Sequence, residues 1–169
     1  RGTPEELNVI IEIPKGSSNK YEMDKETGLI ALDRANYSSA PYPFDYGFVP
    51  QTLWHDGDAI DVIVLTTFPL HPGIMVAVRP VAVMDMTDSG ESDAKIIAVP
   101  VNDKRWEDVN DLADINKHSL REFTHFWETY KKQKKGEKGT VTINGIHDKK
   151  TALANIAESI EIYNKKYSK

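Results

Sequence analysis

Within the seven residues Asp56-Gly57-Asp58-Ala59-Ile60-Asp61-Val62, three carboxylates crowd a turn that runs straight into an apolar strand. Carboxylates this close repel one another unless they share a cation. Hard divalent ions such as magnesium prefer oxygen ligands and keep several waters, so a few aspartates plus a substrate phosphate suit them. An Asp-Gly-Asp turn by itself is more often a solvated hairpin turn. Asp61 shifts the balance, because it opens the apolar run, where an unpaired carboxylate is costly. The spacing also suggests an EF-hand calcium loop, but Asp61 stands where that loop requires glycine and strands replace its flanking helices.

A second acidic turn, Thr87-Asp88-Ser89-Gly90-Glu91-Ser92-Asp93-Ala94-Lys95, follows a long strand. Alone it reads equally well as a polar turn between antiparallel strands. Two acidic turns at neighbouring strand ends would converge on one rim of a barrel, where binding sites on such folds collect. Donors for a phosphate are Lys20, Arg34, Lys95 and Lys131, with the hydroxyls of Tyr42, Tyr46 and Tyr130 near them in sequence. Arginine forks onto phosphate oxygens, whereas lysine acts as a point charge. Each is weak evidence singly, since such residues more often serve as surface charge or core packing.

The elements that must position these groups change period along the chain. Asn8 to Ile13, Lys20 to Met23, Gly28 to Asp33, Ile60 to Leu65, Ile74 to Met86 and Ala94 to Val99 read as strands separated by Gly, Pro, Ser and Asp turns. Tyr37 to Pro50, with Pro41, Pro43, Gly47 and Pro50 among aromatics, reads as an irregular connection. An antiparallel barrel or strongly bent sheet is expected. Leu120, Phe123, Trp127 and Tyr130 then share one helical face, as do Leu153, Ile156, Ile160 and Tyr163 between Asp148 and Lys166. A short helix near Trp106 to Leu112 is also expected. Most of the lysine-rich stretch Lys131 to Lys138 reads as solvated.

Composition excludes several classes of function. There is no cysteine, so thiol chemistry, disulfides and cysteine metal sites are ruled out. Twenty-one Lys and Arg against 26 Asp and Glu give a charge of −5, which disfavours nucleic acid and anionic membranes as partners. No apolar stretch approaches the roughly 18 residues a spanning helix needs. The N-terminus lacks a signal-peptide pattern, so a cytoplasmic protein is expected. At 169 residues the chain is read as a single domain over 1–169.

The chain resembles the soluble family I inorganic pyrophosphatases, whose hallmark Asp-x-Asp-x-x-Asp turn is matched by Asp56, Asp58 and Asp61. The resemblance continues in order through Glu12-Ile13-Pro14, Lys20-Tyr21-Glu22, Asp33-Arg34, Tyr42-Pro43-x-x-Tyr46-Gly47, Asp88, Asp93-Ala94-Lys95, Asp108 to Leu112 and Tyr130-Lys131. It implies an α+β fold, a five-stranded OB-like antiparallel β-barrel with additional strands and two main C-terminal helices. It also implies hydrolysis of pyrophosphate with several Mg2+ ions per site, Mn2+ or Zn2+ being substitutes, and a homo-oligomer, most often a hexamer of two trimers. By position, Asp56, Asp61, Asp88 and Asp93 hold metal, with Glu22 helping through water. Asp58 is the general base. Lys20, Arg34, Tyr46, Tyr130 and Lys131 bind the phosphoryl groups, and Lys95, Tyr42 and Glu12 stand in or just behind the inner ring of ligands.

Departures from the family pattern are Ala59, where Pro or Glu is usual, a short stretch from Pro14 to Lys20, and Phe44-Asp45, at positions that vary. They bear on loop rigidity more than on chemistry. His55 is expected to be an exposed loop residue, because hard magnesium sites do not favour imidazole. His125 is read as facing a subunit interface, which would make assembly pH-sensitive. Two other readings are a small β-barrel binding module, which predicts a basic, aromatic strand face that this chain lacks, and a metal-binding relative without turnover.

Overall fold

The computed structural model describes residues 3–134 and 140–168, so Lys135 and Lys138 of the lysine-rich stretch lie outside the described residues. Five strands form a ring: β1 (Leu7–Ile13), β4 (Asp45–Phe48), β5 (Asp61–Val64), β8 (Lys95–Pro100) and β6 (Met75–Asp88), which pairs back onto β1. β2 (Asn19–Met23) and β3 (Ile30–Ala35) make a separate hairpin. β7 (Glu91–Ser92) and β9 (Val141–His147) extend the sheet along the far half of β6. Two helices follow the ring, α1 (Lys117–Thr129) and α2 (Lys149–Tyr167). This is the expected barrel with extra strands and two C-terminal helices.

Four differences have local causes. The ring pairs are antiparallel except β5 with β8, which run parallel because the chain crosses through β6 and β7 between them. The proline-rich connection contains β4, whose Gly47 passes so close to β1 that an added Cβ would stand 2.0 Å from the Ile10 carbonyl oxygen. Only glycine allows that approach. The short helix expected near Trp106 to Leu112 is replaced by two 3₁₀ turns, Lys104–Trp106 and Leu112–Asp114, each capped by the aspartate before it. β9 has no counterpart in the sequence expectations. It follows the lysine-rich stretch, and only its first four residues alternate, half-buried Val141 and Ile143 with exposed Thr142 and Asn144, before Gly145 breaks the pattern.

β6 is 14 residues long and serves four partners, β1 at its start, β8 in the middle and both β7 and β9 at its end. Pro80 sits inside it where the register with β8 shifts, the kind of irregularity that tolerates a residue without an N–H. Two apolar clusters fill the protein. One places Tyr42, Phe44 and Tyr46 against Phe123, Phe126 and Trp127 of α1. The other packs Val9, Ile11, Val62, Val83 and Ile96 against Ala152 and Ile156 of α2. Both helices start on side-chain caps, Asn116 accepting from His118 and Ser119 and Asp148 from Thr151. The clusters fix the strand ends that carry the acidic turns.

Candidate active site

Strand pairing brings distant parts of the sequence to one rim. Asp61 opens β5 and Lys95 opens β8, and in the parallel pair they are direct register partners. Asp88 ends β6, and Asp93 lies in the turn between β7 and β8. Asp56 and Asp58 sit in the turn before β5, where Gly57 has φ +85 and the Asp58 amide donates to Asp56 Oδ1 at 3.1 Å. Glycine holds this left-handed position at no steric cost. β2 supplies Lys20 and Glu22, β1 supplies Glu12, β4 supplies Tyr46, and the C-terminal end of α1 supplies Tyr130 and Lys131.

These residues line one pocket of about 450 Å³, together with Tyr42, Lys25, Glu91 and Trp127. Of the side chains expected to act, Arg34 alone is not part of the lining. It pairs with Lys20 across the β2–β3 hairpin, and its guanidinium lies over the Tyr37 ring at 4.7 Å. Sequence reasoning missed Lys25, whose amine lies 3.0 Å from Asp58 Oδ1 across the pocket mouth, and the chain offers no local signal for it. It also missed the place of Trp127 in the pocket wall, having read that residue only as part of an apolar helix face.

Lys95 is the buried centre of the site, with its side chain only 4% exposed. Its ammonium donates to Asp61 Oδ2 at 2.9 Å, Asp93 Oδ1 at 2.9 Å and the Tyr46 hydroxyl at 2.5 Å. Burial alone would lower its pKa, but the charges of Asp61 and then Asp93 outweigh that and hold it above the ordinary lysine range. Lys131 pairs with Asp88 at 2.6 Å, so the first member of the lysine-rich stretch faces the site rather than water. Lys20 pairs with Asp33 at 2.7 Å and approaches Glu22 at 3.6 Å.

The carboxylates are under electrostatic pressure. Burial, with added repulsion from Asp93 and Asp61, raises Asp56 to about 6 despite the Asp58 amide. Asp93 is also raised, chiefly by burial, with Lys95 opposing. Glu12 is pushed to about 7 by burial, although it accepts from the Met23 amide at 2.8 Å. Tyr46 and Tyr130 are raised by burial and so remain protonated hydrogen-bond donors.

The lining holds eight carboxylates (Glu12, Glu22, Asp56, Asp58, Asp61, Asp88, Glu91, Asp93) against four amines (Lys20, Lys25, Lys95, Lys131). Among the described residues no three acidic or imidazole side chains already form a cation cluster, and the Lys95 ammonium stands between Asp61 and Asp93. The donor set is nonetheless all oxygen and its negative charge exceeds its positive charge, which fits hard divalent cations that retain their waters. His55 stays out of the site: it is exposed and reaches Glu158 of α2 at 2.8 Å.

A family model described as inorganic pyrophosphatase matches residues 9–164. The inorganic pyrophosphatase of Thermus thermophilus is 43% identical over 162 residues, 95% of this chain and 91% of that protein. The inorganic pyrophosphatase of Leifsonia xyli is 48% identical over 141 residues, 83% of this chain and 85% of that protein. The crystal structure of the inorganic pyrophosphatase from Thermus thermophilus superposes with a TM-score of 0.94 at 41% identity, covering 97% of this chain and 94% of that one.

Proposed function

Because the chain belongs to the inorganic pyrophosphatase family, we propose that it hydrolyses pyrophosphate to two orthophosphates, with Asp58 as general base and several Mg2+ ions per site. The excess of carboxylates over amines in the pocket is the observation that carries this reading. A multiply charged anion would be repelled by such a lining unless cations entered with it. Asp56, Asp61, Asp88 and Asp93 would hold the ions, with Glu22 acting through water. When bound, magnesium makes a coordinated water more acidic and neutralises charge on the phosphoryl oxygens.

The protein's own groups then have separable tasks. Asp58 is the most exposed of the turn's carboxylates, its side chain 61% accessible, so it can accept a proton from an attacking water at the pocket mouth. Its Oδ1 must first release the Lys25 amine. Lys20, Lys95 and Lys131 provide positive charge around the phosphoryl groups, and the buried hydroxyls of Tyr46 and Tyr130 donate without ionising. Arg34 completes the set by turning from Tyr37 toward the mouth. Tyr42 packs against Tyr46, Phe126 and Trp127 and fixes the aromatic wall from behind. Glu12, through the Met23 amide, ties the β2–β3 hairpin to the barrel. The same reading takes residues 1–169 as one domain that works in the cytoplasm as a homohexamer.

The test compares Asp58→Asn with Asp61→Asn. Asp58→Asn should retain magnesium affinity and lose turnover by about 10²–10⁴-fold, the usual contribution of a general base. Asp61→Asn should weaken magnesium binding as well, measured by calorimetric titration. Equal loss of magnesium affinity in both variants would overturn the division of roles.

A further inference from the structure

We infer that Trp127 is a positioning residue, whose indole face seats the Lys95 ammonium in the pocket while the carboxylates beside it serve other ligands. The Lys95 Nζ lies 4.8 Å from the Trp127 ring centroid and 5.1 Å from that of Tyr46. Trp127 is 2% exposed, and its ring is braced by Tyr46 at 5.2 Å and by Tyr130 at 5.0 Å and 90°, so it cannot swing away. Each of the three N–H bonds of Lys95 has a partner here: Asp61, Asp93 and the Tyr46 hydroxyl. Once Asp61 and Asp93 turn to a cation, two of those bonds weaken. The Tyr46 hydroxyl and the aromatic faces are then what hold the amine in place.

A second observation separates this role from simple packing. Among the described residues the Trp127 Nε1–H is buried without a hydrogen-bond partner. A buried donor left unmade is unfavourable, and phenylalanine could occupy the same apolar face without one. What the indole adds is the strongest quadrupole toward a cation of any side chain. The tryptophan is thus worse than phenylalanine for the fold and better for the ammonium.

The inference rests on the proposed contact of Lys95 with pyrophosphate, and the experiment separates the two. Pyrophosphate KM and kcat at saturating magnesium are measured for Trp127→Phe, Trp127→Leu, Lys95→Met and the Trp127→Leu/Lys95→Met double variant. Melting temperatures of all four are taken in chelator. Trp127→Phe should melt no lower than wild type and yet raise KM about 2–5-fold, and Trp127→Leu should raise it roughly 5–30-fold, with smaller changes in kcat. In the Lys95→Met background Trp127→Leu should add less than about 2-fold, since its cation is gone. A Trp127→Phe protein with a lower melting temperature and unchanged KM would overturn the seat in favour of packing alone. So would an undiminished Trp127→Leu effect in the double variant. If Lys95→Met itself leaves KM unchanged, the phosphate role of Lys95 fails, and the seat falls with it.

Discussion

Replacing Lys95 by methionine keeps most of the buried side-chain volume and removes the charge that Asp61 and Asp93 share. At 2.9 Å and an effective dielectric of about 20, each ion pair has a gross attraction of about 6 kcal/mol. Desolvation of the ammonium cancels much of this. Because the two carboxylates are only 22% and 14% exposed, removing the amine leaves charge that water screens poorly. Breaking such a buried pair typically costs about 3–5 kcal/mol. For a protein of this size that is a fall in melting temperature of roughly 6–20 °C. The assay is thermal unfolding by circular dichroism at pH 7.5 in chelator, repeated with saturating magnesium. Under the proposed function the loss should be largest in chelator and shrink with magnesium, whose charge would serve the same two carboxylates. A Lys95→Met protein melting within about 2 °C of wild type in chelator would refute the reasoning.

Two further outcomes follow from other buried groups. Glu12 has its pKa raised by burial from 4.5 to about 7. Between these values the folded state binds more protons than the unfolded one, so its contribution is fully present below about pH 4.5 and is lost as pH rises through 7. In chelator, Glu12→Gln should match wild-type stability near pH 4.5 and exceed it by about 3 kcal/mol at pH 8, read from urea unfolding; a constant difference across that range would contradict the cause assigned. Asp45 is fully buried and accepts from the Lys15 amide, the Leu70 amide and the Thr66 hydroxyl. Asp45→Ala leaves these donors without their acceptor and should lower unfolding free energy by about 2–4 kcal/mol, and a urea midpoint equal to wild type would show that water replaces the carboxylate at no cost.

Asp45 also marks a limit of the sequence. By sequence it is only a variable position, because a carboxylate between Phe44 and Tyr46 gives no sign that three donors converge on it. Local features were more legible. The Asp-Gly-Asp turn shows in residue type and spacing, and Gly57 adopts the left-handed conformation such a turn requires. The faces of α1 and α2 follow from their 3.6-residue period, although Phe126, which touches Tyr42 and Phe44, belongs to the α1 face as well. Pairings set by topology were not legible. The parallel register that puts Lys95 beside Asp61 joins residues 34 apart in sequence, and no local pattern encodes it. Lys25 meets Asp58 only because the β2–β3 hairpin folds across the mouth. Arg34, chosen by family position, shares its hairpin with Lys20 but lies on Tyr37 instead of in the pocket.

The most direct test of the central claim is phosphate release from pyrophosphate by the purified wild-type chain, with magnesium and with excess chelator. Rapid release is expected with magnesium and none above background in chelator, since the pocket's eight carboxylates repel the bare substrate. Release that persists in chelator, or a folded, magnesium-saturated protein that releases no phosphate, would contradict it.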